Sequence, residues 1–426
     1  MAASFGEKLL LEVHEEGLDE LLHDLRALHG EDSQSTRTRF GVAPIDELLE
    51  LFWPSPQHLY NPPIIEEHNA GDQVGYTSTI ADHGPMHFKV PVQPGVHSRA
   101  YPVLEISSTS SAAGKSQMLY YLSALAVLPS EFNGVSLGGF DSTVVFIDTD
   151  GRFDVERLRT VARGIIQSKH QTTSEASSLD ISSNLSAEAM LLTSLQHVHV
   201  FRPQSSLALL ATLQSLDTYL LDLSRHFSTN RPLQAILIDS ATAFFWQDKL
   251  QDEIARTEDI GRSAADIEHE RRQKESFYLA DLYADLVTIL KHLQNIFDCA
   301  IIYTAISSSG KPTGNSLVPR GSYNPLDTAL KTPSFRSPLP PPWGLFSTLR
   351  LVLQREVVRP FPSGVTVHEA QRDTPMRQDV VMRGGFVGSV NGWGREDWPR
   401  RVLEALKKRG GGQFTFNVGL EGIAFS

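Results

Sequence analysis

Cysteine is almost missing from this chain. With Cys299 as the one cysteine in 426 residues, no intrachain disulfide can form, and a reducing compartment is expected. Cys299 lies in the apolar stretch DCAIIY and reads as a buried small hydrophobe rather than a reactive thiol. Long apolar runs are missing too. None approaches the roughly 20 residues that a membrane-spanning helix needs, so no membrane partner is expected. The first residues, MAASFGEKLLLEVHEEG, place acids where a secretory leader has its apolar stretch, so no signal peptide is expected. Positive charge is in deficit, with 38 Lys and Arg against 50 Asp and Glu and a net charge of −12. Such a chain does not coat nucleic acid through its overall field, and any contact must come from local basic segments. No internal repeat is present. The remainder, 41% hydrophobic and 21% charged, is ordinary globular composition, enough for one large core with extensions or two smaller domains.

Leu18, Leu21, Leu22 and Leu25 recur at three- and four-residue spacing within Leu9 to Leu28, which predicts a helix. A second helical run, IDELLELF, follows Pro44 and ends at Trp53-Pro54. Residues 1–54 thus form a short helical extension and the start of the core. Residues 55–100, rich in Pro, Gly and His without periodicity, read as an irregular insertion.

Over residues 101–358, short apolar runs alternate with helical stretches, which predicts an α/β core with a mostly parallel central sheet flanked by helices. The predicted strands are Val103 to Ile106, Thr143 to Asp148, Val198 to Phe201, Ala235 to Ile238 and Ala300 to Thr304. The predicted helices are Gln117 to Leu128, Asp154 to Gln167, Ser206 to Ser224 and Phe277 to Phe297. Three segments read as insertions: 168–186, dense in Ser and Thr; 248–276, highly charged, a solvated helix or a mobile arm; and 307–342, rich in Ser, Pro and Gly. A β-rich tail follows. It starts with Leu349 to Val358 and, over 359–426, adds a Gly-rich segment, a basic helix from Trp398 to Arg409 closed by Gly410 to Gly412, and strands at Gln413 to Asn417 and Gly422 to Phe425.

The sharpest motif is VLEISSTSSAAGKSQMLYYL, an apolar strand, a turn of small residues and an amphipathic helix. Its turn, Thr109-Ser110-Ser111-Ala112-Ala113-Gly114-Lys115-Ser116, has the outline of a phosphate-binding P-loop. A helix N-terminus offers unbonded N–H groups and the positive end of a dipole to phosphate. Lys115 is the candidate contact to the β- and γ-phosphates of ATP, and the Ser116 hydroxyl the candidate Mg²⁺ ligand. The loop departs from the pattern at its first glycine, replaced by Thr109, a β-branched residue where positive φ is often needed. A loop that keeps the shape and binds nucleotide weakly or not at all is the competing reading. QAILIDSATAFFW ends an apolar strand on Asp239, the candidate second Mg²⁺ ligand. STVVFIDTDGRFDVERL ends another strand in acids, of which Asp150 is a catalytic candidate. Its alternative reading is a turn residue before Gly151 that caps the next helix.

Together these segments resemble the RecA family, specifically its eukaryotic recombinase branch. VVFIDTDGRFDVERL is similar to that branch's strand–turn–helix after the P-loop, LIDSATAFF to its Mg²⁺ strand, and GVAPIDELLELF to the start of its core. EEGLDELL, the run Phe244-Phe245-Trp246-Gln247-Asp248 and the ending GLEGIAFS narrow the likeness to one of the recombinase paralogues. The resemblance covers about Val103 to Leu353 and both ends. It implies a RecA-like P-loop NTPase core, ATP and Mg²⁺ as cofactors, and a nuclear role in homologous recombination repair of double-strand breaks. It also implies hetero-oligomers with other RecA-type paralogues, the D-type foremost, and contact with single-stranded or branched DNA. In that family Asp150 corresponds to the carboxylate that orients the attacking water.

Departures from the family matter for mechanism. Active strand-exchange recombinases carry Glu where this chain has Asp150. They end the strand before their second DNA-binding loop in Asn-Gln, where this chain has Thr304-Ala305-Ile306-Ser307. No helix-hairpin-helix domain is recognisable near the N-terminus. The expectation is a scaffold or mediator subunit, at most a weak DNA-dependent ATPase. A DNA-dependent motor using Lys115, Ser116, Asp150 and Asp239, or a RecA-fold interaction module without nucleotide, are the alternatives. The family's mobile DNA-binding loop corresponds to a segment with Lys311, Arg320, Lys331 and Arg336 against Asp327, which reads either as a phosphate grip or as a solvated loop. The basic helix with Arg400, Arg401, Lys407, Lys408 and Arg409 fits nuclear import, DNA contact or a helix C-terminus satisfying its dipole. Phe40-x-x-Ala43 and Phe277-x-x-Ala280 match the pattern by which recombinases dock on neighbours, and a structural role is expected for Phe40.

Overall fold

The computed structural model describes residues 39–52, 101–173, 181–222, 224–273, 277–307, 332–356, 361 and 364–425. The predicted helix Leu9 to Leu28, the insertion 55–100 and residues 308–331 lie outside them. The fold is α/β. After helix α1 (Ala43–Phe52) come β1 (Val103–Ser108), α2 (Lys115–Val127), a two-residue hairpin of β2 (Glu131–Phe132) and β3 (Val135–Ser136), β4 (Thr143–Asp148), α3 (Val155–Thr173), α4 (Ile181–Leu195) and β5 (Val198–Phe201). The chain continues through α5 (Ser206–Gln214), α6 (Leu216–Leu221), β6 (Leu233–Asp239), α7 (Phe245–Glu258), α8 (Ala264–Gln273), α9 (Leu279–Phe297) and β7 (Ala300–Ile306). It ends with β8 (Leu349–Arg355), α10 (Val367–Met382), β9 (Gly385–Val390), α11 (Arg400–Lys408), β10 (Phe414–Gly419) and β11 (Gly422–Phe425).

Nine strands form one sheet in the order β11-β10-β9-β8-β1-β7-β6-β4-β5. From β8 to β5 all neighbours run parallel, and β9, β10 and β11 extend the sheet antiparallel beyond β8. Strands buried on both faces explain the continuous apolar runs of the sequence. Along β4, Val144 and Phe146 enter one core while Val145 and Ile147 enter the other, the two-residue period of a strand. The first core is closed by α2 and α3 through Leu119, Leu122, Leu158 and Val161, the second by α5 and α9 through Leu209, Leu213, Leu286 and Leu290.

One polar contact runs across the middle of the sheet. Glu105 on β1 registers opposite Tyr303 on β7 and Arg350 on β8. Its buried carboxylate accepts the Tyr303 hydroxyl at 2.9 Å and lies 3.7 Å from Arg350 Nε. Burial pushes the Glu105 carboxyl up, and the Arg350 charge and the Tyr303 hydroxyl oppose that shift.

The structure changes several readings of the sequence. Segment 168–186 is not simply a loop, because α3 runs on to Thr173 and α4 begins at Ile181. Ser206 to Ser224 breaks at Ser215 into α5 and α6. The charged stretch 248–276 carries α7 and α8. Helix α10 went unrecognised, although Thr366 and Glu369 form a reciprocal capping box at its start. Phe40 is buried in the first core, with Asp46 Oδ1 accepting its amide at 2.6 Å, and Phe277 packs partly buried against the second. On α11, Val402 and Leu406 turn into the first core, and Arg400, Arg401, Lys407 and Lys408 face solvent. No helix among the described residues is long and apolar enough to cross a membrane.

Candidate nucleotide site

The parallel strands β1, β4, β6 and β7 all point their C-terminal ends to one edge, and the candidate residues gather there. The turn after β1 leads into α2, whose first internal hydrogen bond runs from Met118 N to Gly114 O at 3.0 Å. The amides of Lys115, Ser116 and Gln117 therefore precede the helix's own acceptors. Gly114 caps α2 with φ 87°, and a Cβ there would lie 3.3 Å from Phe386 Cδ1. Both the dihedral and the packing demand glycine. Thr109 is not among the left-handed residues; the one non-glycine of the loop in that region is Ala112, at φ 58°. The strain expected at the first loop position sits three residues later.

Lys115 folds back on the end of β1. Its Nζ donates to Ser108 Oγ at 2.5 Å, and Ser108 Oγ donates to Ser110 O at 2.7 Å. Burial pushes the Lys115 ammonium down, while the negative charges of Asp239 and Asp150 pull it back up. Thr304 Oγ1, buried on β7, donates to Asp239 Oδ1 at 2.6 Å. Three strand ends are then laced by backbone. Thr149 N donates to Asp239 O at 2.9 Å, Ser240 N to Thr149 Oγ1 at 2.6 Å and Ala241 N to Thr304 O at 2.8 Å. Ile306 N donates to Thr242 Oγ1 at 3.2 Å, and Ser307 N to Ser108 O at 2.9 Å. Thr149 and Thr242 were not singled out from the sequence, and Thr304 was named there only as a departure from the family's Asn-Gln. Their common signal was a Ser or Thr beside each strand end.

Three acids at and just beyond the end of β4 divide the work. Asp148 accepts the amides of Arg152 at 3.0 Å and Phe153 at 2.9 Å and pairs with Arg202 Nε at 3.1 Å. Asp154 caps α3 by accepting the amides of Glu156 and Arg157 at 3.0 and 3.2 Å. Asp150 makes none of these bonds and is exposed. Burial of its partly enclosed carboxyl and the charge of Asp239 push it up, against Arg152 and Lys115. The capping role weighed for Asp150 therefore belongs to Asp154.

Thr109, Ser110, Ser111, Ala112, Ala113, Gly114, Lys115, Ser116, Asp150 and Asp239 all fall on this edge. Arg336 does not. Asn391, which follows β9 at the opposite edge, holds the neighbouring residue, with Phe335 N donating to Asn391 Oδ1 at 2.9 Å and Asn391 Nδ2 to Phe335 O at 2.8 Å. Lys311, Arg320 and Lys331 lie outside the described residues.

Among curated proteins, the chain is 24% identical over 290 residues to the XRCC2 homolog of Arabidopsis thaliana, a DNA repair protein, covering 64% of this chain and 72% of that one. It is 36% identical over 138 residues to mouse DNA repair protein XRCC2, covering 32% of this chain and 39% of that one. It is 26% identical over 197 residues to the DNA repair and recombination protein RadA of Halobacterium salinarum, covering 45% and 48%. The chain thus spans less than half the length of the mouse and archaeal proteins it matches. No family model matches. By its sheet, its motifs and these likenesses, the chain is similar to the RecA-type recombinase paralogues, XRCC2 among them.

Proposed function

We propose that this chain is a subunit of a nuclear recombinase-paralogue assembly in homologous recombination repair of double-strand breaks. In this reading it pairs with other RecA-type paralogues, including the D-type, and assists a recombinase on single-stranded or branched DNA. It binds ATP with Mg²⁺ weakly. Lys115 would carry charge to the β- and γ-phosphates, and Ser116 and Asp239 would hold the metal. The residues fit that ligand in kind: an ammonium, a hydroxyl and a carboxylate converge at a helix N-terminus.

The observation that supports weak binding is the state of the loop itself. Lys115 Nζ is engaged by Ser108 Oγ at 2.5 Å, so phosphate must displace an existing contact. Ala112 holds a left-handed dihedral that costs an L-residue about 1 kcal/mol. The freedom of Asp150 supports the second reading, a DNA-dependent ATPase, because an uncommitted carboxylate beside Lys115 and Asp239 is what an attacking water would need.

Co-purification and turnover separate the two. Under mild salt the chain should retain at least one RecA-type paralogue, and the assembly should hydrolyse ATP slowly with little stimulation by single-stranded DNA. Elution of the chain alone would remove the scaffold reading. Strong DNA-stimulated turnover would establish the motor.

A further inference from the structure

Helix α7 is inside out. Its residues Asp248 and Asp252 are 4% and 5% exposed, whereas Trp246, Leu250 and Ile254 are 68%, 58% and 51% exposed. The buried acids are satisfied. Asp248 Oδ2 accepts the Ser206 hydroxyl at 2.6 Å and the Tyr283 hydroxyl at 3.2 Å, and Asp252 Oδ1 accepts Leu279 N at 3.0 Å. Asp252 Oδ2 also pairs with Arg256 Nε at 2.8 Å. These bonds fix the rotation of α7 on α5 and α9, so the helix cannot roll to bury its apolar side. Trp246, Leu250 and Ile254 follow one another at four-residue spacing, which makes a single ridge along the outer face. Ile260, 79% exposed, stands just past the end of the helix.

Normal surface helices do the reverse, turning the apolar stripe inward and the charge outward. Scattered exposed apolar residues need no explanation, but a continuous ridge containing a tryptophan marks an interaction surface. We propose that the outer ridge of α7 is a docking surface for a helix of a different RecA-type subunit, one that presents an apolar stripe with a basic flank. The identity of the occupant rests on the assembly reading of the preceding subsection.

Size and charge select that occupant. The ridge leaves on the order of 400 Å² of apolar side chain in water, about half of the ~800 Å² that each partner contributes to a standard interface. A second copy meeting this ridge through a two-fold axis lacks the area for a stable dimer. A different subunit that adds contacts elsewhere does not. The charged residues of α7 beside the ridge, Lys249, Glu253, Glu258 and the Arg256–Asp252 pair, sum to one negative charge, and Lys249 is drawn over the Trp246 ring at 5.4 Å and toward Glu253 at 3.9 Å. That flank repels a phosphate backbone and suits a basic one on protein. A helix ridge with four-residue spacing packs into the matching groove of another helix, and Trp is among the residue types that most often dominate such contacts.

The test uses the full chain, tagged and co-expressed with RecA-type paralogues, beside the variants W246A/L250A/I254A and W246D. Retained paralogue is quantified, and the isolated chains are compared by thermal unfolding and by size-exclusion chromatography with light scattering. The proposal expects at least a tenfold loss of paralogue binding in both variants with an unchanged or higher thermal midpoint, since the substitutions are on the surface. Undiminished binding by both variants overturns it while leaving the assembly reading intact. A wild-type chain that retains no paralogue overturns the assembly reading and, with it, the assigned occupant. A wild-type chain that dimerises alone, with the variants monomeric, makes a second copy the occupant and overturns the proposal. Loss of single-stranded DNA binding with paralogue binding kept would make the ridge a base-stacking platform, which also overturns it.

Discussion

Thr304 Oγ1 donates to Asp239 Oδ1 across 2.6 Å, joining the end of β7 to the carboxylate at the end of β6. The strand that leads into residues 308–331 is therefore hydrogen-bonded to the candidate Mg²⁺ ligand. The sequence departs here from the Asn-Gln of active recombinases. Thr304→Val keeps the shape and removes the donor. A hydrogen bond to a charged group contributes roughly 1.5–3 kcal/mol, so Mg²⁺-dependent nucleotide affinity should fall about tenfold. Titration with a fluorescent nucleotide, with and without Mg²⁺, checks this. An unchanged Mg²⁺ dependence would show that Thr304 does not position Asp239.

Gly114 and Ala112 provide opposite substitutions in one loop. Gly114→Ala forces a Cβ to within 3.3 Å of Phe386 at φ 87° and should lower stability by about 1–2 kcal/mol. Ala112→Gly relieves the residue at φ 58° and should leave stability equal or slightly higher while tightening nucleotide binding. Urea unfolding of the two variants, with nucleotide titration, reads both effects.

Arg350→Met tests the contact across the sheet. The substitution leaves the fully buried Glu105 carboxylate with Tyr303 as its hydrogen-bond donor. Breaking a buried pair from one side costs about 3–5 kcal/mol, whereas Arg350→Met combined with Glu105→Gln should recover much of that loss. A double-mutant cycle by chemical denaturation measures the coupling.

The edge strand β5 sets an acid limit on stability. His199 Nδ1 lies 2.9 Å from Tyr219 Oη and Nε2 lies 2.8 Å from Ser228 Oγ, which also meets His197 Nδ1 at 2.9 Å. Burial, reinforced by the neighbouring His226 and His197, pushes His199 down to about 4 from its ordinary 6.5. Between those values the unfolded chain binds a proton that the folded chain refuses. The stabilising contribution is full above pH 6.5 and is lost as pH falls from there to 4, a change on the order of 2–3 kcal/mol. Unfolding free energies at pH 7 and pH 5 should differ less in His199→Gln than in the parent.

What the sequence made legible follows from how each signal is encoded. Thr143 to Asp148 matches β4 to the residue, because a strand buried on both faces is an apolar run bounded by polar turns, and Val198 to Phe201 matches the edge strand β5, where Val200 is exposed. The loop at Gly114-Lys115-Ser116 and the strand ending at Asp239 were equally plain, since each joins a chemical motif to a strand end. Helix α10 was not legible, because VHEAQRDTPMRQDVVM buries no residue and contains Pro375, so it has no apolar period to read. The inversion of α7 was hidden for a related reason. Its pattern is amphipathic, but only the tertiary partners Ser206, Tyr283 and Leu279 show that the acids face inward. Among the acids at and just beyond the end of β4, spacing alone could not assign Asp148, Asp150 and Asp154, and the hydrogen bonds divide their roles.

Lys115→Ala and Asp239→Ala bear most directly on whether turnover matters to this subunit. Lys115 would contribute a point charge to the phosphates, and its loss should weaken nucleotide binding by at least tenfold. Asp239→Ala should do the same in a Mg²⁺-dependent way. Repair complementation should change little with either substitution. Asp150 is one methylene shorter than the Glu of active recombinases, and proton-transfer geometry tolerates little misplacement. Lys115 must also leave Ser108 before it reaches phosphate. On the scaffold reading proposed above, a subunit with that machinery gains little from hydrolysis. Complementation of repair-deficient cells, run beside ATPase assays on the purified assembly, decides the matter. If the unmodified chain turns over ATP with strong DNA stimulation and both substitutions abolish repair, the subunit is a motor and the scaffold reading fails.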